Sequence, residues 1–337
     1  MPARRVGIRD VAAAAGVSAA TVSRALNGYP DVAAATRERI GAAARELGYR
    51  PAAAARTVRT GRSGLVGVCL HPCGEPAELQ PFGRMVAAAT TRELTAAGAG
   101  VLAFEDVDAL RGAIDARQLD ALVLVCLGDD AVARAGLDRW PAPVAGVDVE
   151  LGARPGWTIR ADSHGGLRRA VARLAALGHR RIAYIGGSPI TVPGRERLAA
   201  FRAGLRAAGL RPRAELERAG TFRAPSGHAA ALELLSLRRP PTAIVAASDE
   251  MALGAIAAAR DLGRDVPGDV SVVGFDDSPL AALAPVGLTS VRQDPERIGA
   301  LAARAALRGG ERSGRATVPV DLVERDSIGP TYTPPLT

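Results

Sequence analysis

The sequence predicts two kinds of folded unit, a small all-α unit at the N-terminus and a much larger α/β unit after it. Residues 8–47 contain three short helical runs, and a glycine turn separates the first two. From Gly64 onward, short runs rich in Val, Ile and Leu alternate with longer runs rich in Ala, Arg and Leu. This alternation is typical of parallel strands covered by helices. With 337 residues, of which 48% are hydrophobic, the chain can form several cores.

The positive charge of the chain is concentrated in the N-terminal unit. The protein carries a net charge of +8, and residues 1–62 alone hold eleven arginines against four acidic residues, a net +7. A basic unit attached to a nearly neutral one is the electrostatic pattern of a DNA-binding headpiece, because arginine is attracted to backbone phosphates. A solvated basic arm is the alternative interpretation.

Cysteine content and hydropathy predict a soluble protein of the cytoplasm. Cys69, Cys73 and Cys126 are odd in number, so they do not form the paired framework of a secreted domain. The longest apolar runs have the length of strands, and none approaches the ~20 residues of a membrane helix. The N-terminus also lacks the apolar stretch of a signal peptide.

The first helix is predicted to begin near Ile8 and to end at a turn formed by Gly16, which can adopt a positive φ at low cost. Arg9 points to solvent, and Ser18 is placed to cap the next helix through its hydroxyl. A short amphipathic helix, a glycine turn and a second helix that opens with small polar residues is the pattern of a helix-turn-helix. The apolar face of the first helix consists of Ile8, Val11, Ala12 and Ala15.

The second helix is the predicted recognition helix. Its N-terminal residues would reach base edges first in a major groove. Arg24 is the strongest candidate for base readout, because a guanidinium can donate to O6 and N7 of one guanine together. A plain surface charge is the alternative for this residue. Ala19 and Ala20 offer methyl contacts to thymine, Thr21 and Ser23 suit phosphates, and Val22, Ala25 and Leu26 face inward.

A third helix is predicted over residues 34–47, with Ile40 on its inner face and Gly48 as its C-cap. The three helices together resemble the headpiece of the LacI family of bacterial transcription regulators. The resemblance rests on residues 8–27, on the run Thr36–Ile40 and on Glu46–Pro51 with the residues that follow.

This resemblance assigns residues 1–51 to a DNA-binding headpiece and residues 52–63 to a hinge helix and linker. It implies that the hinge enters the minor groove, where Val58 takes the place of a leucine wedge that is usual in the family. The shorter valine is expected to wedge less deeply. The DNA contacts it implies are Arg9, Ser18, Ala19, Ala20, Thr21, Ser23, Arg24, Asn27, Tyr49, Arg56 and Val58.

The resemblance continues through residues 64–330, which it assigns to effector binding and dimerisation, and leaves 331–337 as a tail. It implies a periplasmic-binding-protein-like core of two doubly wound parallel-sheet lobes. The first lobe is expected to span about 64–159 and 290–319, and the second about 160–289 and 320–330. Crossings between them are expected near 157–160, 289–292 and 318–320.

A ligand is expected at the carboxyl ends of the strands, between the two lobes. The resemblance implies that Arg197 clamps an effector, that Asp276 accepts its hydroxyl groups and that Phe222 stacks on it. The guanidinium fork suits sugar hydroxyls or an acid group. A structural role is the alternative for each. Weaker candidates are His71, Phe82, Asp148 and Ser248, the last at a position where the family often has asparagine.

Metal binding, catalysis and transport are the competing functions. Cys69, His71 and Cys73 are zinc-ligand types, but no fourth ligand is evident. No histidine is paired with a nucleophile, so neither an enzyme nor a cofactor is expected. A solute-binding protein would share the large fold but would lack the headpiece.

The sequence therefore predicts a homodimeric transcription regulator, a repressor. Two symmetric headpieces require a pseudo-palindromic DNA operator. A small-molecule effector, a sugar or sugar derivative, is expected to control DNA binding from the cleft between the lobes.

Overall fold

The protein consists of two compact units, Met1–Ser63 and Gly64–Thr337. The structure, a computed structural model, describes residues 6–26, 29–49, 62–70, 81–137, 140–308 and 313–331. Within these ranges, no helix combines the length and the apolar content that a membrane crossing requires.

The described part of the first unit contains three helices, α1 (Ile8–Ala15), α2 (Ala19–Leu26) and α3 (Ala34–Glu46). Gly16 ends α1 with a φ of 62°, and the N–H of Val17 returns to the carbonyl of Ala12 at 3.0 Å. This left-handed C-cap turns the chain directly into α2. The predicted inward faces are confirmed, since the buried core consists of Val11, Ala12, Ala15, Val22, Ala25, Val32, Ile40, Ala43 and Ala44.

The first sheet of the large unit is entirely parallel, with the order β11-β5-β4-β3-β1-β2. Its strands alternate their side chains between two cores, because successive residues point to opposite faces. The strands are β1 (Leu65–Leu70), β2 (Gly100–Phe104), β3 (Ala121–Val125), β4 (Val144–Val147), β5 (Trp157–Ala161) and β11 (Gly314–Val318).

Within the described residues, four helices cover this sheet. On one face, α4 (Pro81–Ala96) packs against α12 (Pro295–Leu307). The other face is covered by α5 (Val107–Asp115) and α6 (Asp129–Arg134).

The second sheet has the order β12-β10-β9-β8-β6-β7 and is parallel except for the pair β10 and β12. Helices α7 and α8 pack together against it, as do α9 and α10. The strands are β6 (Ile182–Gly186), β7 (Glu217–Ala219), β8 (Ala243–Ala246), β9 (Ser271–Asp276), β10 (Thr289–Arg292) and β12 (Asp321–Val323), and the helices are α7 (Ser163–Ala176), α8 (Val192–Ala207), α9 (Ala224–Leu235), α10 (Asp249–Asp261) and α11 (Pro279–Leu283).

The predicted fold of a helical headpiece and two parallel-sheet α/β lobes is confirmed. The chain passes between the sheets at Asp162, at Gln293–Asp294 and at Pro319–Val320. Two of these crossings come a few residues later than expected. Residues 157–160 and 289–292 lie inside β5 and β10, because each of these strands hydrogen-bonds to neighbours on both sides within its own sheet.

Two glycines set the close approach of α9 and α10. A Cβ added at Gly227 would lie 2.3 Å from the carbonyl oxygen of Met251, and one at Gly254 would lie 2.2 Å from that of Ala224. Side-chain carbons do not approach backbone oxygen so closely. The two helices therefore pack at this distance only without side chains at these positions.

We expect Gly254→Ala to destabilise the protein by ~1–3 kcal/mol, because the methyl group must push α9 away from α10. Urea unfolding would measure the loss. Gly112→Ala on α5 is the matched control, because a Cβ there meets nothing within 4 Å. This control should be neutral or more stable by up to ~1 kcal/mol. A Gly254→Ala protein as stable as the control would contradict the packing argument.

Candidate functional site

The outer face of α2 carries the side chains that the helix-turn-helix pattern predicts. Ala20 and Arg24 are exposed, as is Arg9 on α1. The Ser18 hydroxyl accepts the N–H of Thr21 at 3.1 Å, which confirms the predicted N-cap of α2.

Four of the other predicted DNA-contact residues are only partly exposed. Ala19 and Tyr49 are half-buried and pack against the headpiece core. Ala19, expected to offer a methyl contact, is only partly exposed, because the first residue of α2 already lies over that core. Thr21 and Ser23 are also half-buried. The predicted contacts Asn27, Arg56 and Val58, with the hinge 52–58, lie outside the described residues.

Arg24 has partners that sequence reasoning missed. Its Nη2 forms an ion pair with Asp31, and its guanidinium carbon lies 5.1 Å from the centre of the Tyr29 ring. The side chains of Arg24 and Asp31 are 52% and 50% exposed, so the pair sits at the surface. Both partners belong to the loop that follows α2.

The large unit has a narrow cleft at the carboxyl ends of its strands, with a cavity volume of about 20 Å³. Five of the seven predicted effector residues line it, although they come from distant parts of the chain. Asp148 follows β4 and Asp276 ends β9, as a binding site at strand ends requires. The lining residues are Phe82, Cys126, Asp148, Thr191, Pro193, Arg197, Phe222 and Asp276.

Ser248 is not among the residues that line the cleft. Its hydroxyl donates to the carbonyl of Phe222 at 3.0 Å and accepts the N–H of Met251 at 3.2 Å. Ser248 is therefore the N-cap of α10, and both hydrogen-bonding functions of its hydroxyl are engaged. His71 lies outside the described residues.

Arg197 lies at the centre of the cleft and is only 4% exposed. Its Nη1 donates to the carbonyl of Ala247 at 2.6 Å and lies 3.6 Å from Oδ1 of Asp276. The guanidinium stacks on the Phe275 ring at 3.8 Å and lies 5.9 Å from that of Phe222. Its Nε has no hydrogen-bond partner among the described residues, so a donor remains for a ligand.

Asp276 is held by a residue that sequence reasoning did not assign to the site. The side-chain amide of Gln293 donates to Oδ1 of Asp276 at 2.7 Å. Burial raises the pKa of Asp276 above its ordinary value, and the nearby charge of Arg197 opposes this rise. Gln293 lies at a crossing between the lobes, so its amide links the carboxylate to that crossing.

Asp148 supplies a second buried carboxyl group. It is 6% exposed, and burial raises the pKa of Asp148 to about 6, although Arg197 opposes the rise. At neutral pH both Asp148 and Asp276 can accept hydrogen bonds from hydroxyl groups in the cleft.

Backbone strain is concentrated at the cleft. Six described residues other than glycine have a positive φ, and four of them line the cleft. Such conformations cost energy and persist where the surrounding structure imposes them, which is typical of binding sites. The four are Cys126 with φ 55°, Asp148 with 53°, Phe222 with 65° and Asp276 with 112°.

Phe222 reaches the cleft because of a glycine on a neighbouring loop. A Cβ at Gly187, directly after β6, would lie 1.8 Å from Cζ of Phe222. The ring therefore occupies the space that a side chain at this position would take. The glycine at position 187 therefore allows Phe222 to occupy this place.

Two neighbouring residues of α8 join the lobes beside the cleft. Arg195 forms an ion pair with Asp129 of α6 at 2.8 Å. Glu196 pairs with Arg160 of β5, which also binds Glu150 at 2.8 Å. The run Arg195–Arg197 thus provides two links across the cleft and the arginine inside it.

The chemistry of the cleft suits binding of a hydroxylated molecule. Arg197 provides donors, Asp148 and Asp276 provide acceptors, and Phe82 and Phe222 provide flat apolar surfaces. Among the residues that the structure describes, no three His, Cys, Asp or Glu side chains are placed to hold a metal ion.

Of the three residues near position 70 that have the side chains of zinc ligands, only Cys69 lies within the described residues. Burial raises the pKa of the Cys69 thiol to about 12, which disfavours the thiolate that binds metal. His71 and Cys73 lie outside the described residues.

Two known protein-domain families match the chain. Residues 7–52 match the bacterial regulatory proteins of the lacI family, and residues 171–328 match a periplasmic binding protein-like domain. The regulator CelR of Thermobifida fusca is 37% identical over 95% of this chain and 96% of its own length. The chain belongs to the LacI family of bacterial regulatory proteins. The lactose operon repressor of Escherichia coli, another member, is 33% identical over 95% of this chain and 90% of its own length.

Solved structures of the LacI family share the fold along nearly the whole chain. The lac repressor dimer bound to operator and the anti-inducer ONPF has a TM-score of 0.82 at 30% identity, covering 96% of this chain and 99% of that one. The complex of CelR with cellobiose has a TM-score of 0.74 at 33% identity, covering 96% and 100%.

We expect Asp148→Asn to stabilise the protein in a pH-dependent way. The pKa of this carboxyl is about 6 in the folded protein and close to 3.8 when unperturbed, so the folded state binds the proton more tightly. Wild-type stability should therefore fall, relative to the variant, as pH rises through this window. The difference should grow from near zero at about pH 4 to ~2–3 kcal/mol above about pH 6.

Urea unfolding of both proteins across this pH range measures the difference. Asparagine also tolerates the positive φ of this position, so the backbone should not oppose the exchange. A stability difference that stays constant with pH would refute the assignment of a raised pKa to Asp148.

Proposed function

We propose that this LacI-family protein is a sequence-specific DNA-binding transcription regulator, a repressor, controlled by a sugar or sugar derivative bound between its two lobes. The observation that carries the proposal is that one chain contains two different sites, one suited to DNA and one suited to a small molecule. One is an exposed arginine on a helix-turn-helix, and the other is a cleft with buried arginine, carboxylates and aromatic rings.

The headpiece supports recognition of duplex DNA. Its basic charge attracts phosphates, and Arg24 stands on the face of α2 that a major groove would meet. Ala20 and the half-buried Ala19 offer methyl contacts, while Ser18, Thr21, Ser23 and Arg9 suit the phosphate backbone. We assign residues 1–51 to this headpiece and residues 52–63, with Asn27, Tyr49, Arg56 and Val58, to further DNA contacts and the hinge.

The cleft supports a neutral polyhydroxylated effector. An arginine beside two carboxylates can donate to and accept from neighbouring hydroxyl groups, and aromatic rings cover the apolar faces of a sugar. CelR, a relative at 37% identity, has been solved with cellobiose. We therefore place a sugar in contact with Phe82, Asp148, Arg197, Phe222 and Asp276, whereas Ser248 acts by holding Phe222.

A homodimer is the assembly that a two-fold operator requires. The described surface carries exposed apolar side chains on α11, where Leu283 is 80% exposed and Leu280 is 43% exposed. The lac repressor, similar along 96% of this chain, was solved as a dimer on its operator. We propose that α11 contributes to the same kind of contact here.

Binding rather than catalysis explains the cleft. Its titratable groups are the carboxyl groups of Asp148 and Asp276, the guanidinium of Arg197 and the thiol of Cys126, and no histidine that could activate a nucleophile is among the described residues that line it. The relatives are regulators, and we propose that this protein likewise acts on DNA in the cytoplasm and not as an enzyme or an exported solute carrier.

Substitution of Arg24 tests the DNA-binding role. The probe is a duplex that the full-length protein selects from a random library, together with versions in which each G·C pair is replaced. Arg24→Ala should reduce discrimination at one guanine by ~1–3 kcal/mol. Binding at several salt concentrations should also fall steeply as salt rises, because arginines displace condensed counterions.

Arg45→Ala, exposed on α3, is the matched control, and it should change affinity for all sequences alike. A flat salt response, or selection of no sequence at all, would count against a DNA-binding regulator.

Thermal unfolding with sugars tests the effector role. Cellobiose, other mono- and disaccharides, and nucleosides form the panel, and one sugar should stabilise the protein by ~2.7 kcal/mol at a hundredfold excess over its Kd. Arg197→Lys should abolish the shift, because lysine lacks the forked donors. Arg206→Lys, exposed on the same helix, should retain it. If nucleosides stabilise the protein and no sugar does, the proposal of a sugar effector is wrong.

A further inference from the structure

The loop between α2 and α3 places a carboxylate against the side chain that we propose to read bases. Asp31 forms an ion pair with Nη2 of Arg24, seven residues earlier in the chain. Tyr29, two residues before Asp31, places its ring 5.1 Å from the guanidinium carbon. One short loop therefore holds Arg24 from two directions.

This loop is anchored to the headpiece. Val32, the neighbour of Asp31, is buried in the core with 7% exposure. Arg37 of α3 donates from Nη2 to the carbonyls of Tyr29 at 3.0 Å and Val32 at 3.1 Å. The N–H of Tyr29 also donates to the carbonyl of Arg24 at 3.1 Å. The backbone on both sides of Asp31 is thus held in place by the headpiece.

The ion pair leaves most of the Arg24 guanidinium available. Asp31 engages Nη2, whereas a guanidinium has five N–H donors in a fixed plane. A guanine needs two donors on one edge of that plane. A side chain held at one donor and stacked on a ring can therefore still present two others to a base.

We infer that Asp31 is a specificity-determining residue that positions Arg24 for base readout. The inference rests on the proposed DNA-binding function and deepens it. Arginine has many rotamers, and ordering them on DNA costs affinity for the correct base. A carboxylate that orders Arg24 before binding reduces this cost.

Asp31 also acts against binding of incorrect DNA. Its negative charge repels phosphates and so weakens the attraction that every sequence shares. Specificity is the difference between the affinity for the correct sequence and the affinity for other sequences. It rises when the attraction to any duplex falls and when Arg24 is already ordered for its contact with guanine. The two effects of Asp31 thus work in the same direction.

A competing role for the same contact has the opposite consequence. If Asp31 withheld Arg24 from DNA, its removal would strengthen the contact with guanine and raise discrimination. The sign of the change on substitution therefore separates positioning from inhibition.

The experiment uses the full-length protein and the duplex that it selects from a random library, with each G·C pair replaced in turn. Asp31→Asn keeps the shape of the side chain but removes its charge. It should lower discrimination at the guanine read by Arg24 about three- to tenfold, as expected when one long side chain must be ordered on binding. Affinity for unrelated duplex should rise.

Glu38→Gln is the control, because it removes the same charge from an exposed position of the headpiece. It should raise affinity for unrelated duplex but leave discrimination unchanged. In a background of Arg24→Ala, Asp31→Asn should no longer affect discrimination, since the residue that it positions is absent.

Unchanged or increased discrimination in Asp31→Asn would overturn the inference. If Arg24→Ala loses discrimination and Asp31→Asn keeps it, only the role of Asp31 fails. If Arg24→Ala itself keeps full discrimination, the proposed role of Arg24 fails first.

Discussion

The burial of the Arg197 guanidinium is the interaction on which the cleft depends. A buried charge is costly unless partners replace water. Here the partners are the carbonyl of Ala247, the carboxylate of Asp276 and the ring of Phe275, all at the carboxyl ends of β8 and β9. These groups meet because the two strands are parallel neighbours whose ends reach the same edge. The sheet order therefore determines whether Arg197 can be buried at all.

The sequence predicted those parts of the fold that local hydrophobic pattern controls. The short apolar runs predicted to form strands do so, for example at residues 100–104, 121–125, 144–147 and 243–246. It did not predict β7, because Glu217–Ala219 is a short and partly exposed edge strand without an apolar run. It also placed crossings inside β5 and β10, because a strand and a connecting segment between lobes have the same extended, apolar character.

The sequence could predict those residues of the site whose type and place in the chain indicate a ligand contact, but not those whose role depends on a contact with a distant residue. Arg197, on α8, could be identified through the resemblance to the LacI family, whereas Asp148 and Asp276 also stand at strand ends, where a ligand is expected. Gln293 could not be identified, because its role comes from a contact with Asp276 across 17 positions of the chain. Likewise, Ser248 has the residue type of a ligand contact, and only the structure shows its hydroxyl engaged by Phe222 and Met251. Cys126 directly follows β3, so a search for residues at the carboxyl ends of strands would also have identified it.

The ion pairs beside the cleft make the two lobes responsive to dissolved ions. Separation of the lobes at this point must break the pair of Arg195 with Asp129 and the pair of Glu196 with Arg160. The first pair is about half exposed, so salt screens it readily, while Arg160, at 16% exposure, is shielded more. Ionic strength therefore acts unequally on the two contacts that hold the lobes together at this point. Both contacts belong to the helix that carries Arg197, so this helix links the interior of the cleft to the salt outside it.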